Sequence, residues 1–180
     1  MKTYIALLRG INVGRKGVLP MQELAAILEL LGCRNVKTYI QSGNAVFQHN
    51  ETGVSELSIY ITAAIAKSRG FAPQVLVLDA KRLANAAAAN PFPEAEAEPK
   101  SLHLFFLDST PSKAKLKSLA NLQGDNERFK LRGSVFYLHA PNGVGRSKLA
   151  ANVERHLGVA ATSRNWRTVG KLLEIATGYA

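Results

Sequence analysis

The order β-α-β-β-α-β can be read twice along these 180 residues, and that doubling limits what the chain can fold into. The first copy begins with the apolar run Tyr4-Ile5-Ala6-Leu7-Leu8, which reads as a buried strand. Pro20 suits the first turn of a helix, and Leu24, Ile27, Leu28 and Leu31 then recur at helical spacing. Gly32 is a good residue just past the helix end. VKTYIQ and AVFQ flank Ser42-Gly43-Asn44, a hairpin signal. Val54, Leu57, Ile61 and Ile65 mark a second helix that stops near Gly70, and Gln74 to Leu78 is a strand. This order predicts a ferredoxin-like unit, a four-stranded antiparallel sheet with two helices on one face.

The pattern returns after a connector. Asp79 is placed to cap an alanine-rich helix over Ala80 to Ala89, which Asn90-Pro91-Phe92-Pro93 stops. Glu94, Glu96 and Glu98 follow. Leu102 to Leu107 is then a strand, and Ser112 is placed to cap a helix carrying Leu116, Leu119 and Leu122. Arg128 to Leu131 and Val135 to His139 pair around Arg132-Gly133-Ser134. Ser147 opens a helix with Leu149, Val153 and Leu157, closed by Gly158, and Val159 to Thr162 is a short last strand. A C-terminal helix runs from Trp166 to about Thr177, with Asn165 as its cap and Trp166 expected in the core. The expected class is therefore α+β: ferredoxin-like subdomains over 1–79 and 101–180, the second carrying the C-terminal helix, joined by a helical and acidic linker over 80–100.

Charge narrows the choice of partner. There are 23 Lys and Arg against 13 Asp and Glu, a net charge of +10, and the isoelectric point is about 9.9. A value above roughly 9 is the usual electrostatic footprint of a nucleic-acid binder. It also fits a phosphorylated small ligand or simple solubility. Cys33 is the single cysteine, so no intrachain disulfide forms. No apolar run approaches the roughly 18 residues of a membrane span. The first residues lack a signal-peptide pattern, and the expectation is a cytoplasmic protein with no membrane partner.

Two glycine loops lie between a strand end and a helix start. The first, LRGINVGRKGVLPM from Leu8 to Met21, carries Arg9, Asn12, Gly14, Arg15 and Lys16. The second, PNGVGRSK from Pro141 to Lys148, carries Gly143, Gly145, Arg146, Ser147 and Lys148. Glycine lets backbone N–H groups approach a ligand, and cations on the same loop favour an anion. Long connections that need glycine for their turns have the same composition, so both readings stand. Neither spacing is GxGxxG or GxxxxGK[ST], and no nucleotide motif is assigned. Arg164, Asn165 and Arg167 around the last helix start form a third anion candidate, and Ser42 and Asn44 in the hairpin turn complete the set.

Arg128-Phe129-Lys130-Leu131-Arg132 alternates strictly, which puts three cations on one face. Val135, Tyr137 and His139 share a face of the neighbouring strand. Were that face open, Tyr137 and His139 would stack bases among the cations. The competing reading is that paired ferredoxin-like units bury their open faces against each other, and the RNP aromatic signature is absent.

The catalytic inventory is thin. His49, His103, His139 and His156 do not pair at metal spacing, no HExxH, CxxC or GxSxG occurs, and Asp79, Asp108 and Asp125 sit at turns or caps. No metal and no cofactor is expected.

LLRGINVGRKGVLPM, TYIQSGNAVF, NPF, PNGVGRSKL and TSRNWRTVGKLLEI, in this order, closely resemble the bacterial family labelled domain of unknown function 1697. The resemblance spans essentially the whole chain and implies an α+β fold of two ferredoxin-like halves. It implies no activity. The family's glycine loop often continues GGK where this chain has Gly14-Arg15-Lys16.

The expected function is a non-catalytic binder of phosphate-bearing ligands, with RNA or DNA as first partner. One alternative is an enzyme acting on a nucleotide or phosphorylated small molecule, with Ser42, Asn44 or Asn165 near the reacting centre. The other is a structural or interaction protein whose charge keeps it soluble. Nothing in the sequence sets the oligomeric state.

Overall fold

The computed structural model describes residues 1–14, 17–50 and 53–179. The chain divides into two units: Met1–Asn85 with Lys171–Ala180, and Ala86–Gly170.

The first unit contains β1 (Lys2–Arg9), α1 (Met21–Leu30), β2 (Arg34–Tyr39), β3 (Asn44–His49), α2 (Val54–Arg69) and β4 (Gln74–Asp79). Its sheet has the order β2-β3-β1-β4, with every pairing antiparallel. Ala6 on β1 faces Ala45 on β3 and Val77 on β4, and Tyr4 faces Phe47. These residues share one face, against which Leu24, Ile27 and Leu28 of α1 and Leu57, Ile61 and Ile65 of α2 are buried. Ile5 and Leu7 on the other face are buried too, so β1 reads as an apolar run and not as an alternation. Gly70, at φ 74, ends α2 in the left-handed conformation that glycine adopts freely. Cys33 is buried in this core, and burial pushes its thiol up to about 11. Edge strand β2 is guarded by the C-terminal segment: the Tyr179 hydroxyl donates to the Asn35 carbonyl, and Lys37 Nζ lies 5.2 Å from the Tyr179 ring centre.

The second unit repeats the plan. It contains β5 (Leu102–Leu107), α4 (Leu116–Ala120), β6 (Arg128–Arg132), β7 (Val135–His139), α5 (Lys148–Ala151), α6 (Val153–Leu157) and β8 (Ala161–Asn165). The order β6-β7-β5-β8 matches that of the first sheet, again all antiparallel. Phe105, Leu107, Phe136 and Leu138 pack with Leu119, Leu149, Val153 and Leu157. Phe136 is stacked on Phe129 at 5.3 Å and meets Phe105 edge-on at 5.7 Å.

Three local expectations are corrected. The helix after β5 does not start at Ser112. The Lys115 N–H is bonded to the His156 carbonyl at 2.9 Å, which holds the preceding segment off a helical path. The helix opened by Ser147 is broken in two. Asn152 Nδ2 takes the Lys148 carbonyl at 2.9 Å, the acceptor that a continuous helix would give to the Asn152 backbone N–H. Trp166 is half-buried, not core, and the last strand runs on to Asn165, so Arg164 lies in β8.

The division between units falls inside α3 (Ala80–Ala88) and inside α7 (Trp166–Thr177). The acidic stretch folds with the second unit: Pro93–Ala97 is a 3₁₀ turn, and Phe92 and Ala95 are buried.

Candidate anion-binding cleft

In the first unit, Arg9 closes β1 and its Nη1 donates to the Gln74 side chain at 3.2 Å. Asn12 has φ 55. Its Nδ2 donates to the carbonyls of Leu19 and Gln41, each at 2.8 Å, while its Oδ1 accepts from Leu19 N, also at 2.8 Å. Both amide hydrogens are therefore engaged, and Asn12 fastens the loop to the hairpin turn instead of facing a ligand. A Cβ at Gly17 would stand 2.9 Å from the Gly10 carbonyl, so this glycine answers a close approach of backbone to backbone. Around Gly14, at φ 65, a Cβ would meet nothing within 4 Å. Arg15 and Lys16 lie outside the described residues. Asn44 is buried, and its Nδ2 donates to the Tyr39 carbonyl and to Ser42 Oγ, each at 3.0 Å. It pins the hairpin turn and presents no face to a substrate.

In the second unit, the register puts Arg128, Lys130 and Arg132 directly across from His139, Tyr137 and Val135. The shared face is as expected, but it is overlaid by the connector. The Arg128 guanidinium lies 4.9 Å from the Phe92 ring centre and is paired with Glu94 at 2.5 Å. Arg132 Nη1 donates to the Ala89 carbonyl at 2.6 Å. Tyr137 is buried, and its hydroxyl donates to the Ala86 carbonyl at 2.7 Å. Its ring is therefore no stacking platform. His139 is half-buried, 3.0 Å from an Arg128 nitrogen and 6.2 Å from the Phe92 ring centre. Tyr137 therefore cannot receive a base as expected, and His139 is packed beside Arg128 and Phe92.

Burial pushes His103 below its ordinary value of 6.5, against the opposing pull of the Lys100 carbonyl. Burial and the Arg128 charge lower His139 as well, while Glu94 and Glu98 pull it up. Both histidines thus take up a proton more readily in the unfolded chain. Their contribution is present above about pH 6.5 and is lost as pH falls through the folded values. The second unit is expected to unfold at lower denaturant at about pH 5.5 than at about pH 7.5, with His103→Gln flattening that slope. Chemical denaturation followed across this range checks it, and a wild-type midpoint independent of pH would contradict it.

The second glycine loop lines a cleft. Pro141, Asn142, Gly143, Arg146, Ser147 and Lys148 form one wall, and the segment Asn121–Glu127 forms the other, around a volume of about 660 Å³. Ser147 Oγ accepts from Ala150 N at 2.9 Å, the cap expected of it. Gly143 has φ 80 and Gly145 lies beside the cleft wall in sequence. On the other wall, Glu127 Oε2 is held by Gly124 N at 2.9 Å. A second cleft of about 520 Å³ shares Pro141, Asn142 and Gly143 and adds Glu98, Pro99, Lys100, Ser101 and Arg167. Arg146, Lys148 and Arg167 are exposed, and among the described residues their side chains have no hydrogen bond or ion pair. That sets them apart from Arg9, Arg128 and Arg132.

Arg164 is half-buried on β8 and donates to the Ser163 carbonyl at 2.8 Å, and burial pushes its guanidinium down to about 10. Asn165 Oδ1 accepts from Thr168 N at 3.0 Å and so caps α7. Of the expected anion residues, the structure gathers Gly143, Arg146, Ser147 and Lys148 at one cleft and places Arg167 at its neighbour. Arg9, Asn12, Gly14, Ser42 and Asn44 belong to the other unit. Sequence reasoning missed the wall Asn121–Glu127; its signal is the polar run Gln123-Gly124-Asp125-Asn126-Glu127 just before β6. Among the described residues, no group of three His, Cys, Asp or Glu could hold a metal ion. No described helix is long and apolar enough to cross a membrane.

A family model described as protein of unknown function (DUF1697) matches residues 1–137. The chain belongs to the DUF1697 family. Its match covers the first unit's strands and helices up to β4 and ends inside β7, so the Pro141–Lys148 wall of the cleft lies beyond the matched residues. This DUF1697 protein is also similar in structure to the conserved bacterial protein SP0830 from Streptococcus pneumoniae. The two share 23% identity with a TM-score of 0.70, over 97% of this chain and 98% of that one, a likeness of fold. No curated protein matches the sequence.

Proposed function

We propose that this DUF1697 protein is a binding protein for a phosphate-bearing ligand, held in the cleft beneath the Pro141–Lys148 loop. The observation that carries the reading is the cleft itself, lined by Arg146 and Lys148 with no internal partner for either side chain among the described residues, and by Asp125 and Glu127 on the facing wall. A guanidinium and an ammonium on one loop supply charge-assisted donors, the strongest hydrogen bonds available to phosphate oxygens. The volume of about 660 Å³ suits a small phosphorylated molecule better than an extended strand. The net charge of +10 adds long-range steering of anions. Nucleic acid is the second reading. The overall charge favours it, but the face on which bases would have stacked is occupied by the connector and by Tyr137's own burial.

Calorimetric titration with ribose 5-phosphate, against ribose as control, tests the proposal. Each charge-assisted contact contributes about 1.5 kcal/mol or more, so Arg146→Ala with Lys148→Ala is expected to weaken binding at least about 100-fold. Equal affinity of the double variant and the wild type would remove the cleft from the account. Salt-titrated anisotropy with a labelled single-stranded RNA tests the second reading, for which the slope of log K against log salt should be about −0.7 for each phosphate neutralised.

A further inference from the structure

The outer face of α2 is apolar where a helix lying on a sheet should turn polar residues to water. Leu57, Ile61 and Ile65 are buried toward the sheet. On the opposite side Ile59 is 64% exposed and Tyr60 53%, and exposed Ala63 continues the stripe one turn on. The two ends of the stripe carry opposite charges. The Glu56 carboxylate lies beside Gly53 at the start of the helix, and Lys67 is exposed in its last turn. Among the described residues neither side chain has a hydrogen bond or ion pair. Arg69, at the end of α2, is paired with Glu23 in the first turn of α1, and Leu30 at the far end of α1 is 87% exposed in the same layer of helices. We infer that this face is the interface between two copies of the chain, docked with their α2 helices antiparallel about a two-fold axis.

Charge complementarity selects both that occupant and that orientation. An antiparallel pair brings Glu56 of each copy to Lys67 of the other, and two-fold symmetry makes the contact twice. A parallel pair would set Glu56 against Glu56 and Lys67 against Lys67. The two charges stand about 16 Å apart along the helix, at 1.5 Å per residue. Their midpoint falls among Ile59, Tyr60 and Ala63, so the axis passes through the apolar part of the stripe, and the small Ala63 side chain lets the helices approach closely. Elsewhere the net charge of +10 makes two copies repel. On this stripe one acid balances one base, so the repulsion is least here. Withdrawing Ile59 and Tyr60 of both copies from water drives association, and the flanking ion pairs fix the register. A single helical face is small beside the roughly 1,600 Å² of a standard interface, so the dimer is a weak, reversible one.

Sedimentation velocity of the full chain, from about 5 to about 500 μM, tests this. The mass is expected to rise with concentration from 19.5 kDa toward twice that value. Ile59→Lys, at an exposed position that the fold does not use, is expected to weaken dimerisation at least about 100-fold, because it sets two cations beside the axis. Glu56→Lys and Lys67→Glu each turn both ion pairs into like-charge pairs, and each alone should weaken dimerisation at least about tenfold. Mixed in equal amounts, these two variants restore opposite charges at both contacts and should associate as the wild type does, which damage to either fold would not allow. A wild type that stays monomeric throughout the range overturns the second copy as occupant and leaves the face to an unlike partner. Dimers of Ile59→Lys as tight as those of the wild type would put the interface elsewhere on the chain. A mixture that associates no better than either variant alone overturns the antiparallel pairing.

Discussion

Gly43→Ala is expected to be among the most damaging single changes in the first unit, lowering its stability by about 3 kcal/mol. Gly43 has φ 80, and a Cβ there would stand 2.7 Å from both Leu8 Cβ and Ile11 Cδ1. The Ile11 methyl is the end of a flexible side chain and could move. Leu8 Cβ cannot, because the Leu8 N–H donates to the Gly43 carbonyl at 2.8 Å and β1 is paired on both sides. The turn would have to lift off β1, breaking that bond and exposing the buried Asn44 beneath it. Overpacking costs about 1–3 kcal/mol, and a left-handed alanine adds about 1–2 kcal/mol. For a chain of this size the melting transition should fall by about 10 °C. Gly133→Ala is the control. Its φ of 56 is also positive but nothing lies within 4 Å of the added carbon, so only the backbone term applies. Thermal unfolding of the two variants should separate them clearly, and equal losses would show that contact at the turn is not what requires glycine.

The fold was legible because its signals are local and periodic. Leu102–Leu107, Val135–His139 and Trp166–Thr177 begin and end where apolar spacing and the Asn165 cap place them. Two of the failures share a cause, a partner distant in the chain, whereas the break in the Ser147 helix is local, made by the Asn152 side chain on the Lys148 carbonyl. Lys115 is held by His156, forty-odd residues on, and no helix signal around Ser112 registers that. Tyr137 lies on the face its alternation assigns, across from Lys130. Whether that face is open depends on Ala86 and Phe92, which no strand pattern mentions. The candidate site divides in the same way. Gly143, Arg146, Ser147 and Lys148 were legible because glycine, charge and a capping serine fall in one short stretch. The opposite wall Asn121–Glu127 was not, because a polar run without period reads only as loop. Asn12 was legible as a loop residue, but its role was not, since two of its three bonds go to carbonyls whose positions only the folded chain determines.

Asn12→Asp should show that role most directly. Asp keeps the size of Asn and its tolerance of the left-handed backbone, so φ 55 adds no penalty of its own. It also keeps an oxygen for the Leu19 N–H. The other terminal atom changes from a donor of two hydrogen bonds to a negatively charged acceptor, facing the Leu19 and Gln41 carbonyls at 2.8 Å. Two bonds are lost and two oxygens are left opposed to a charge, a cost of about 3 kcal/mol in a partly buried setting. The pH dependence identifies the mechanism. Carbonyl neighbours favour the protonated acid, so the folded value of Asp at this position is raised above the unfolded one. Stability is then fully present below the unfolded value and is lost as pH rises through the folded one. The deficit of Asn12→Asp relative to wild type should be largest near about pH 8 and shrink toward about pH 4, where a protonated carboxyl donates to one of the two carbonyls. Asn12→Ala, which cannot titrate, should show a deficit nearly constant over the same range. A constant deficit for both variants, measured as the difference in denaturation midpoint from wild type at each pH, would mean that Asn12 does not hold the loop and the turn together through these carbonyls.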